Sequence, residues 1–502
     1  MILIIFGCHS LCNEIYTKIN GTDSNVCHIL SPCSFKYAKK QIEKGDIVFM
    51  KDKEICNSDE LESLKDLFNY GLSKGATFVS KNMIVNGTNY IEKSISFIVV
   101  QDAIDSRIHG FYFTGFHSTI SCFRTVERGV FSNCSFVKNH IIGGFGLLCF
   151  GVGKCKMEDC YIAENSVYNT SLISMFSTHL YLNMTIIENN NILHKSKEPL
   201  LFAVNSVCEY TNTTIRYNSS PYSPLHKFDF RSCFGFWNCT FEYNKHPEIL
   251  LCDGTCEFNF TNNTISNNMG IFFAASENAS VTFNESEIIN NYSPDMPLFY
   301  IPGGSFFINH PCIFKNNIGA SLIDTRGDKS FIDINKGIFI NNQMNDFIIG
   351  NNFGSFMKIK NSYFSDNIII NGSSILNDDS STNIIKTKFL RNKPVAFNII
   401  KGKAFISNCL FKLNYGVSII NGINSKIKIT DSNFIGSNFF DLKGKKRLFN
   451  LRFNNSNILY FLKNGYIHKN LIISIIILII VFFLLIRLLF KKRFNYFYNV
   501  CK

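Results

Sequence analysis

Short apolar stretches recur along most of the chain, and many of them lead into the same phrase. The phrase reads NCSFVKN at residues 133–139, NCTFEYN at 238–244 and NCLFKLN at 408–414. Its core is an aromatic residue or isoleucine, two variable positions and an asparagine. The cores are Phe136/Asn139, Ile162/Asn165, Ile186/Asn189, Ile215/Asn218, Phe241/Asn244, Ile265/Asn268, Ile288/Asn291, Phe314/Asn317, Phe339/Asn342, Phe364/Asn367, Phe389/Asn392 and Phe411/Asn414. Their mean spacing of about 25 residues indicates a solenoid or a related repeat array.

The residues between two cores predict short strands. Each core is followed by a brief apolar run such as PLLFAV, GIFFA or DFIIG, and then by a bend rich in Gly, Asn and Asp. An alternating stretch such as SFIDI or KIKIT leads into the next core. Leucine-rich repeats would need Leu at fixed offsets, and propeller blades would need about 40 residues. Because the strands are short and leave no room for a helix, we predict an all-β chain folded as a right-handed parallel β-helix of about 13 or more coils.

The repeated core has a physical explanation in such a fold. The aromatic residue is expected to point inward and stack on its counterparts in neighbouring coils, and the asparagine to occupy a bend in the left-handed conformation. Its amide is expected to bond to the asparagine one coil away, which builds a ladder along the axis. The structural anchors assigned in this way are Phe136, Asn139, Phe241, Asn244, Phe314, Asn317, Phe339, Asn342, Phe364, Asn367, Phe389, Asn392, Phe411 and Asn414.

The N-terminal part has a different pattern, and it predicts a cap that covers the open strand edges of the first coil. Ser34 is placed to cap a helix FKYAKKQIEK that ends at Gly45, and a second helix, ELESLKDLFNYGL, follows Ser58. We assign residues 13–70 to this capping region and residues 71–440 to the β-helix.

The two ends of the chain predict a surface protein with one membrane span. The run LIISIIILIIVFFLLI carries no charge and, with the next four residues, reaches the length of about 20 that a transmembrane helix needs. Basic residues follow at once, which favours a cytoplasmic tail. We therefore predict a signal peptide at 1–12, a C-terminal cap and juxtamembrane segment at 441–470, a transmembrane helix at 471–490 and a tail at 491–502.

Composition and charge agree with this organisation. The chain has 502 residues, 46% of them hydrophobic, and a formal net charge of +12. The positive excess is concentrated in the tail and in a basic cluster, Lys443, Lys445, Lys446, Arg447 and Arg452. Since no groove-reading motif accompanies it, a nucleic-acid partner is not expected. The expected partners are a membrane and a host-cell receptor or glycan.

Asn-X-Ser/Thr sequons are frequent before the apolar segment and absent after it, which fits a glycosylated domain outside the cell. The candidate glycosylation sites are Asn133, Asn183, Asn212, Asn238, Asn262 and Asn371.

Repeated Phe-X-X-Asn followed by a glycine-led apolar strand resembles the paired FxxN and GGA[ILV] motifs of the polymorphic membrane protein (Pmp) family. FxxN occurs at Phe136, Phe241, Phe314, Phe339, Phe364, Phe389 and Phe411, and the second motif survives only in degraded form at Gly143-Gly144-Phe145, Gly270-Ile271, Gly319-Ala320 and Gly416-Val417. Bacterial members end in an outer-membrane β-barrel, whereas this chain ends in one apolar segment. It is therefore more similar to the Pmp-like surface proteins of trichomonad parasites. The resemblance covers residues 110–490 and implies a surface-exposed, adhesion-type protein.

Catalysis is not predicted. β-Helical polysaccharide lyases and hydrolases place acidic groups of adjacent coils at one phase, so that two groups share a metal or divide acid and base roles. Asp328 and the pair Asp378 and Asp379 have similar phase but lie two coils apart, with Phe353 in the coil between. The alternative function, a cell-surface carbohydrate-active enzyme of pectate-lyase type, therefore lacks its carboxylate row. A third alternative is a tail-anchored intracellular scaffold.

No cofactor or metal site is predicted either. Cys252 and Cys256 with His246 would make one zinc set, but no second ligand pair follows with finger spacing. A disulfide between the two cysteines is the other reading, and Cys27, Cys33 and Cys56 offer another disulfide. The cysteines that precede the cores are interpreted as small side chains stacked in the wall; they are Cys134, Cys160, Cys239, Cys312 and Cys409.

Two surface features are candidates for adhesion. Arg326-Gly327-Asp328 lies at a bend, where an integrin-type receptor would reach it, although Gly and Asp also suit such a bend for structural reasons. The flat outer face with the basic cluster suits glycan recognition, although the same lysines also suit anionic lipid headgroups. The sequence thus predicts an adhesin-like or structural display protein that binds its ligand through exposed loops.

Overall fold

The computed structural model describes residues 14–454, except 24–26, 30, 53, 89, 91–95, 125, 194–195, 276–278, 328–329, 394–396, 415–419, 437–439 and 450–451. The predicted signal peptide at 1–12, transmembrane helix at 471–490 and tail at 491–502 lie outside these residues. Within the described part, no helix is long and apolar enough to cross a membrane.

The described chain is a parallel β-solenoid of about 14 turns, which confirms the parallel β-solenoid architecture that the repeat predicted. Every regular turn contains three strands, and each strand pairs in parallel with its equivalents in the turns before and after it. Leu180, for example, pairs with Cys155 on one side and with Cys208 on the other. The stacked strands form three walls around an apolar interior.

The first wall contains the alternating stretches that precede each core. Its strands are Val126–Ser132, Gly153–Glu158, Thr178–Asn183, Val207–Thr211, Ser232–Trp237, Cys256–Thr261, Ser280–Asn284, Ser305–Ile308, Phe331–Asn335, Phe356–Lys360, Ser381–Ile385 and Lys403–Ser407.

The second wall contains the cores themselves. Its strands are Ser135–Val137, Tyr161–Ala163, Ile186–Glu188, Thr214–Arg216, Thr240–Glu242, Thr264–Ser266, Glu287–Ile289, Cys312–Lys315, Gly337–Ile340, Tyr363–Ser365, Lys388–Leu390, Leu410–Lys412, Asn433–Ile435 and Arg452–Asn454. Short corner strands follow some of the asparagines; they are His140–Ile142, Ser166–Tyr168, Asn191–Ile192, Tyr292–Ser293 and Ile368–Ile369.

The third wall contains the apolar runs. Its strands are Ser96–Gln101, Thr119–Arg124, Leu148–Phe150, Ile173–Phe176, Leu201–Val204, His226–Asp229, Lys245–Asp253, Met269–Ala275, Phe299–Pro302, Ile318–Arg326, Gln343–Asn352, Ser373–Asp378 and Phe397–Ile400. Two later strands, Ile420–Thr430 and Phe440–Phe449, continue from the third wall into the first.

The same parallel sheet extends into the N-terminal region. Its strands there are Glu14–Thr22, Ile47–Met50, Ile55–Cys56, Thr77–Asn86 and Asp105–Thr114. They pair in sequence onto Val126–Ser132 and Ser135–Val137, so the capping region and the solenoid share one continuous sheet.

Two helices lie among these N-terminal strands, near the predicted positions. Phe35–Gln41 begins after Ser34, whose Oγ accepts the N–H of Tyr37 at 3.2 Å. This confirms the predicted cap, although the helix ends at Gln41 and not at Gly45, because Ile42 already has extended backbone angles.

The second helix, Ser58–Ser73, covers the edge of the third wall. Its Asn69 accepts the N–H of Val99 at 2.7 Å through Oδ1, and Phe68 packs edge-on against Phe97. At the unpaired edge of the strand Ser96–Gln101, one backbone N–H is thereby hydrogen-bonded to a side chain. The open end of a solenoid requires such cover.

The anchor phenylalanines form the predicted stack inside the second wall. Centroid distances along Phe314, Phe339, Phe364, Phe389 and Phe411 are 4.9, 4.6, 4.8 and 5.2 Å, and adjacent rings lie within 15° of parallel. All five side chains are fully buried. Each ring therefore replaces contact with water by contact with two other rings.

The anchor asparagines form the predicted ladder along the axis. Nδ2 of Asn342 donates to Oδ1 of Asn367 at 3.0 Å and to the carbonyl of Phe314 at 2.9 Å, while its Oδ1 accepts from Asn317. The unbroken ladder is Asn139, Asn165, Asn190, Asn218, Asn244, Asn268, Asn291, Asn317, Asn342, Asn367, Asn392 and Asn414.

Two details of the predicted anchor were wrong. The left-handed residue is the one before the asparagine; Lys138, for example, has φ 58° and precedes Asn139. The asparagine must turn its amide inward, whereas the preceding side chain is exposed and only its backbone is constrained. In one coil the ladder uses Asn190 and not Asn189, because Ile187 is the buried residue that pairs with Ile162.

Candidate functional site

Alternate residues of the third wall face outward, and in the middle of the solenoid they floor a cleft. Tyr300 pairs with Asp324, which pairs with Gly350 in the following coil. The cleft has a volume of about 200 Å³. It is lined by Asp295, Met296, Pro297, Tyr300, Ala320, Ser321, Asp324, Arg326, Asp346 and Phe347. We call it the Asp324 cleft.

Local irregularities of three successive coils create the cleft. The register between neighbouring strands shifts between Gly319 and Ser321, where a bulge interrupts regular pairing. In the coil before, the hydroxyl of Ser293 donates to the carbonyl of Met296 at 2.9 Å. This contact closes a turn that places Asp295 and Met296 at the rim.

Gly350 determines one side of the cleft. A Cβ atom at this position would lie 2.3 Å from Cε2 of Phe347, far inside van der Waals contact. The Phe347 ring therefore lies directly over the backbone of Gly350, where only glycine leaves room.

The floor contains an ion pair between a buried carboxylate and a half-exposed guanidinium. Oδ2 of Asp324 accepts from Nε of Arg326 at 3.0 Å and from Nη2 at 2.7 Å, and Oδ1 accepts from Nδ2 of Asn352 at 3.3 Å. The side chain of Asp324 is 1% exposed, whereas that of Arg326 is 49% exposed. Both carboxylate oxygens are thus already occupied, and the guanidinium covers them from the solvent side.

The environment of Asp324 raises its pKa. Burial is the largest cause, since it disfavours the charged carboxylate, and the negative charge of Asp346 acts in the same direction. The hydrogen bonds from Arg326 and Asn352 and the charge of Arg326 oppose the rise but do not cancel it.

The rim is acidic and the walls are partly apolar. Asp295 and Asp346 are exposed, and the guanidinium carbon of Arg326 lies 5.6 Å from the ring centre of Tyr300. Because Arg326 is neutralised by Asp324, the two rim carboxylates leave the cleft with a negative excess. The arrangement offers hydrogen-bond acceptors above an aromatic and aliphatic surface.

The candidate tripeptide at 326–328 is only partly described. Arg326 belongs to the Asp324 cleft, and its guanidinium is engaged with Asp324. Gly327 has φ 106°, as the bend requires, and its N–H bonds to the carbonyl of Asn352 at 3.2 Å. Asp328 lies outside the described residues. Receptor binding through the tripeptide stays a prediction.

Asp378, one of the carboxylates considered from the sequence, has no carboxylate register partner in the two described coils before it. Asp378 pairs with Asn352, which pairs with Arg326, so an amide and a guanidinium occupy the adjacent coils. Phe353 follows Asn352 at the next bend and is exposed.

The candidate glycosylation sites lie on the surface. Asn183 is half-buried, and the exposed ones are Asn133, Asn212, Asn238, Asn262 and Asn371. Three of them occupy one edge in successive coils, where Nδ2 of Asn262 donates to Asn238 at 2.6 Å and Nδ2 of Asn238 donates to Asn212 at 3.3 Å. Glycosylation of these residues stays a prediction.

The zinc set considered from the sequence does not form. Cys252 and Cys256 are joined in a disulfide, and His246 is buried with Nδ1 at 3.0 Å from the carbonyl of Ser223. Burial lowers the pKa of His246 to about 4, so the imidazole is neutral. Across the described residues, no group of three or more His, Cys, Asp or Glu side chains is placed to hold a metal ion.

The other cysteines divide into bonded and wall residues. Cys27 and Cys33 form a disulfide, which leaves Cys56 as a buried free thiol. The cysteines interpreted as wall residues are buried, and the structure shows them as free thiols; they are Cys134, Cys160, Cys239, Cys312 and Cys409. The basic cluster lies at the end of the described solenoid. Lys443, Lys445, Lys446 and Arg447 belong to the strand Phe440–Phe449, and Arg452 belongs to the last strand of the second wall.

Comparison with known proteins does not identify a relative. No protein-family model and no curated protein sequence matches the chain. Among solved structures, it is similar to the A-module of the mannuronan C-5 epimerase AlgE6 of Azotobacter vinelandii at 10% sequence identity. The alignment covers 87% of this chain and 99% of that module, with a TM-score of 0.22. At this score the likeness supports no argument, so the fold assignment rests on the strand pairing alone.

Proposed function

We propose that the protein is a right-handed β-helical surface protein that binds a neutral or amino-sugar glycan in the Asp324 cleft. The observation that carries this proposal is the convergence of a half-buried aromatic ring, an ion pair with a buried carboxylate and two rim carboxylates in one cleft. Concave sites that combine apolar walls with a few polar groups are the usual places for small ligands.

The chemistry of the cleft suits a sugar ring. Asp295 and Asp346 offer acceptors for sugar hydroxyl groups. The guanidinium of Arg326 has five N–H donors, and two of them are bonded to Asp324. The apolar C–H face of a pyranose packs against aromatic and aliphatic surface; Tyr300 and Phe347 supply the aromatic part, and Met296 and Pro297 the aliphatic part.

The charge of the cleft selects among glycans. Two rim carboxylates face the ligand, and the only guanidinium in the cleft lining is already paired. A uronate or sulfated sugar would bring like charges together at a cost, whereas a glucosamine ammonium group would be attracted.

We expect full-length protein to bind glucosamine oligomers most tightly, N-acetylglucosamine oligomers more weakly, and oligouronates least, by calorimetric titration at low salt. Asp346→Asn should weaken glucosamine binding about three- to tenfold, because one attractive charge is lost. Asp379→Asn is the matched control, since it removes an exposed aspartate outside the cleft lining. Equal binding of oligouronates, or equal effects of the two substitutions, would contradict the proposal.

A carbohydrate-active enzyme is the second candidate, and the presence of Asp324 and Asp346 in one cleft favours it, since glycoside hydrolysis uses two carboxyl groups. We favour binding without turnover, because Asp324 is covered and both of its oxygens are occupied. Mass spectrometry of the incubated oligosaccharides decides between them: shortened or unsaturated products that vanish with Asp324→Asn would establish the enzyme.

In this proposed function the solenoid lies outside the cell and residues 471–490 anchor it in the membrane. The Pmp-like surface proteins that the repeat resembles have the same organisation. With a tag on Lys502, protease treatment of intact cells should remove most of the mass and leave a short tagged membrane fragment. Removal of N-glycans should separately lower the apparent mass. A protected and unglycosylated protein would instead mean a tail-anchored scaffold inside the cell, and the adhesin-like function would be wrong.

A further inference from the structure

Two cysteines face each other on the outer side of the third wall, near the N-terminal end of the solenoid. Cys122 and Cys149 are register partners on adjacent parallel strands. Such partners lie about 4.8 Å apart along the axis, which is within the roughly 4.4–6.8 Å between Cα atoms that a disulfide spans. Both cysteines are free thiols.

A cation sets this pair apart from the wall cysteines. Arg124 lies two residues beyond Cys122 on the strand Thr119–Arg124, so the two side chains project from the same face of the wall. The Cys149 thiol and Arg124 together lower the pKa of Cys122, while the pKa of Cys149 is raised. By contrast, burial raises the pKa of Cys134 and Cys160, which also lie in adjacent coils but have no cation beside them.

The pair is nearly buried. Cys122 is 2% exposed and Cys149 is 4% exposed. The glycine-rich segment 143–146 bends close by, and its Phe145 lies 5.4 Å from the guanidinium carbon of Arg124. The N–H of Phe145 donates to Oγ1 of Thr119 at 3.3 Å. The N–H of Gly143 also donates to the carbonyl of Tyr168 at 2.9 Å, and the hydroxyl of Thr170 donates to the carbonyl of Gly144 at 3.3 Å. A reagent therefore reaches Cys122 when a local opening displaces this segment.

We propose that Cys122 and Cys149 form a redox-active dithiol, which external disulfides convert into a bond between two adjacent coils. In the first step the Cys122 thiolate attacks one sulfur of an external disulfide, breaks its S–S bond and expels one thiolate. The Cys149 thiol then loses its proton, and its sulfur attacks Cys122 in the mixed disulfide and expels the second thiolate. Both expelled thiolates take up protons, so two protein thiols are oxidised while one external disulfide is reduced.

The bond would differ from the disulfides already present. Cys27–Cys33 and Cys252–Cys256 join residues six and four positions apart in the sequence. A Cys122–Cys149 bond would lie along the solenoid axis and join neighbouring turns. Because Arg124 follows Cys122 on the same strand and favours its thiolate, Cys122 is the attacking residue and Cys149 the resolving one.

The test uses full-length native protein and glutathione disulfide at neutral pH, followed by alkylation and mass spectrometry of unreduced peptides. We expect a Cys122–Cys149 cross-link at least about tenfold faster than any Cys134–Cys160 cross-link, since thiolate fraction governs the attack. In Cys149→Ser, glutathione should stay attached to Cys122, and Arg124→Met should slow that attachment. Absence of both the cross-link in the native protein and the adduct in Cys149→Ser, or equal rates for the two cysteine pairs, would overturn the proposal.

Discussion

Replacing Asn342 with alanine is expected to lower the free energy of unfolding by about 4 kcal/mol. Its side chain donates to the carbonyl of Phe314 and to Oδ1 of Asn367, and accepts from the backbone and side-chain N–H groups of Asn317. All of these groups lie in the interior, where water cannot replace the lost partner. An unsatisfied buried polar group costs about 1–3 kcal/mol, and the substitution leaves several.

Asn335→Ala is the matched control for this substitution. Asn335 lies on the outward side of the first wall and accepts one hydrogen bond, from Nδ2 of Asn361 at 2.9 Å. Its removal should cost less than about 1 kcal/mol, because water can take the place of the lost amide. Denaturant unfolding and hydrogen exchange of the amides around Asn342 measure the difference. Equal destabilisation by the two substitutions would mean that the ladder contributes no more than a surface contact.

The sequence predicts the walls well, because their residues repeat. An inward aromatic ring and a buried amide must recur in every coil to meet their counterparts, so the period reveals both the fold and the ladder. The error at Asn189 has the same origin: Ile186 and Ile187 are adjacent, as are Asn189, Asn190 and Asn191, so two registers fit the pattern equally. Only the burial of Ile187 decides between them.

The Asp324 cleft could not be predicted in this way, because it depends on departures from the repeat. Tyr300, Asp324 and Asp346 come from three coils and lie at different distances after their asparagines. A bulge at Gly319 and the missing side chain of Gly350 bring them together. The only signal in the sequence was Asp324 itself, a charged residue at the end of the apolar run ASLID. The ion pair of Asp324 with Arg326 was missed because Arg326 was interpreted as part of the tripeptide Arg326-Gly327-Asp328.

Phe364→Ala is expected to lower the free energy of unfolding by about 3–5 kcal/mol, the range for loss of a buried phenylalanine. The ring is fully buried and stacks on Phe339 at 4.6 Å and on Phe389 at 4.8 Å. Rigid strands on both sides limit collapse, so much of the cavity should remain. Phe353→Ala is the control, because Phe353 is 59% exposed, and it should change stability by less than about 0.5 kcal/mol.

The effects of Asn342→Ala and Phe364→Ala on the free energy of unfolding should not be additive in the double variant. Phe364 and Asn367 lie in the same coil, and Asn367 bonds to Asn342 in the coil before, so the stack and the ladder share backbone positions. Once Asn342 is alanine, the backbone near Phe364 is freer to close the cavity, and Phe364→Ala should cost less by about 0.5–3 kcal/mol. Phe136→Ala, many coils away, should instead add its full cost to Asn342→Ala. If both double variants were additive, the aromatic stack and the amide ladder would stabilise the solenoid independently. If only the double variant of Asn342 and Phe364 were less destabilised than the sum of its single variants, the aromatic stack and the amide ladder would stabilise neighbouring coils cooperatively.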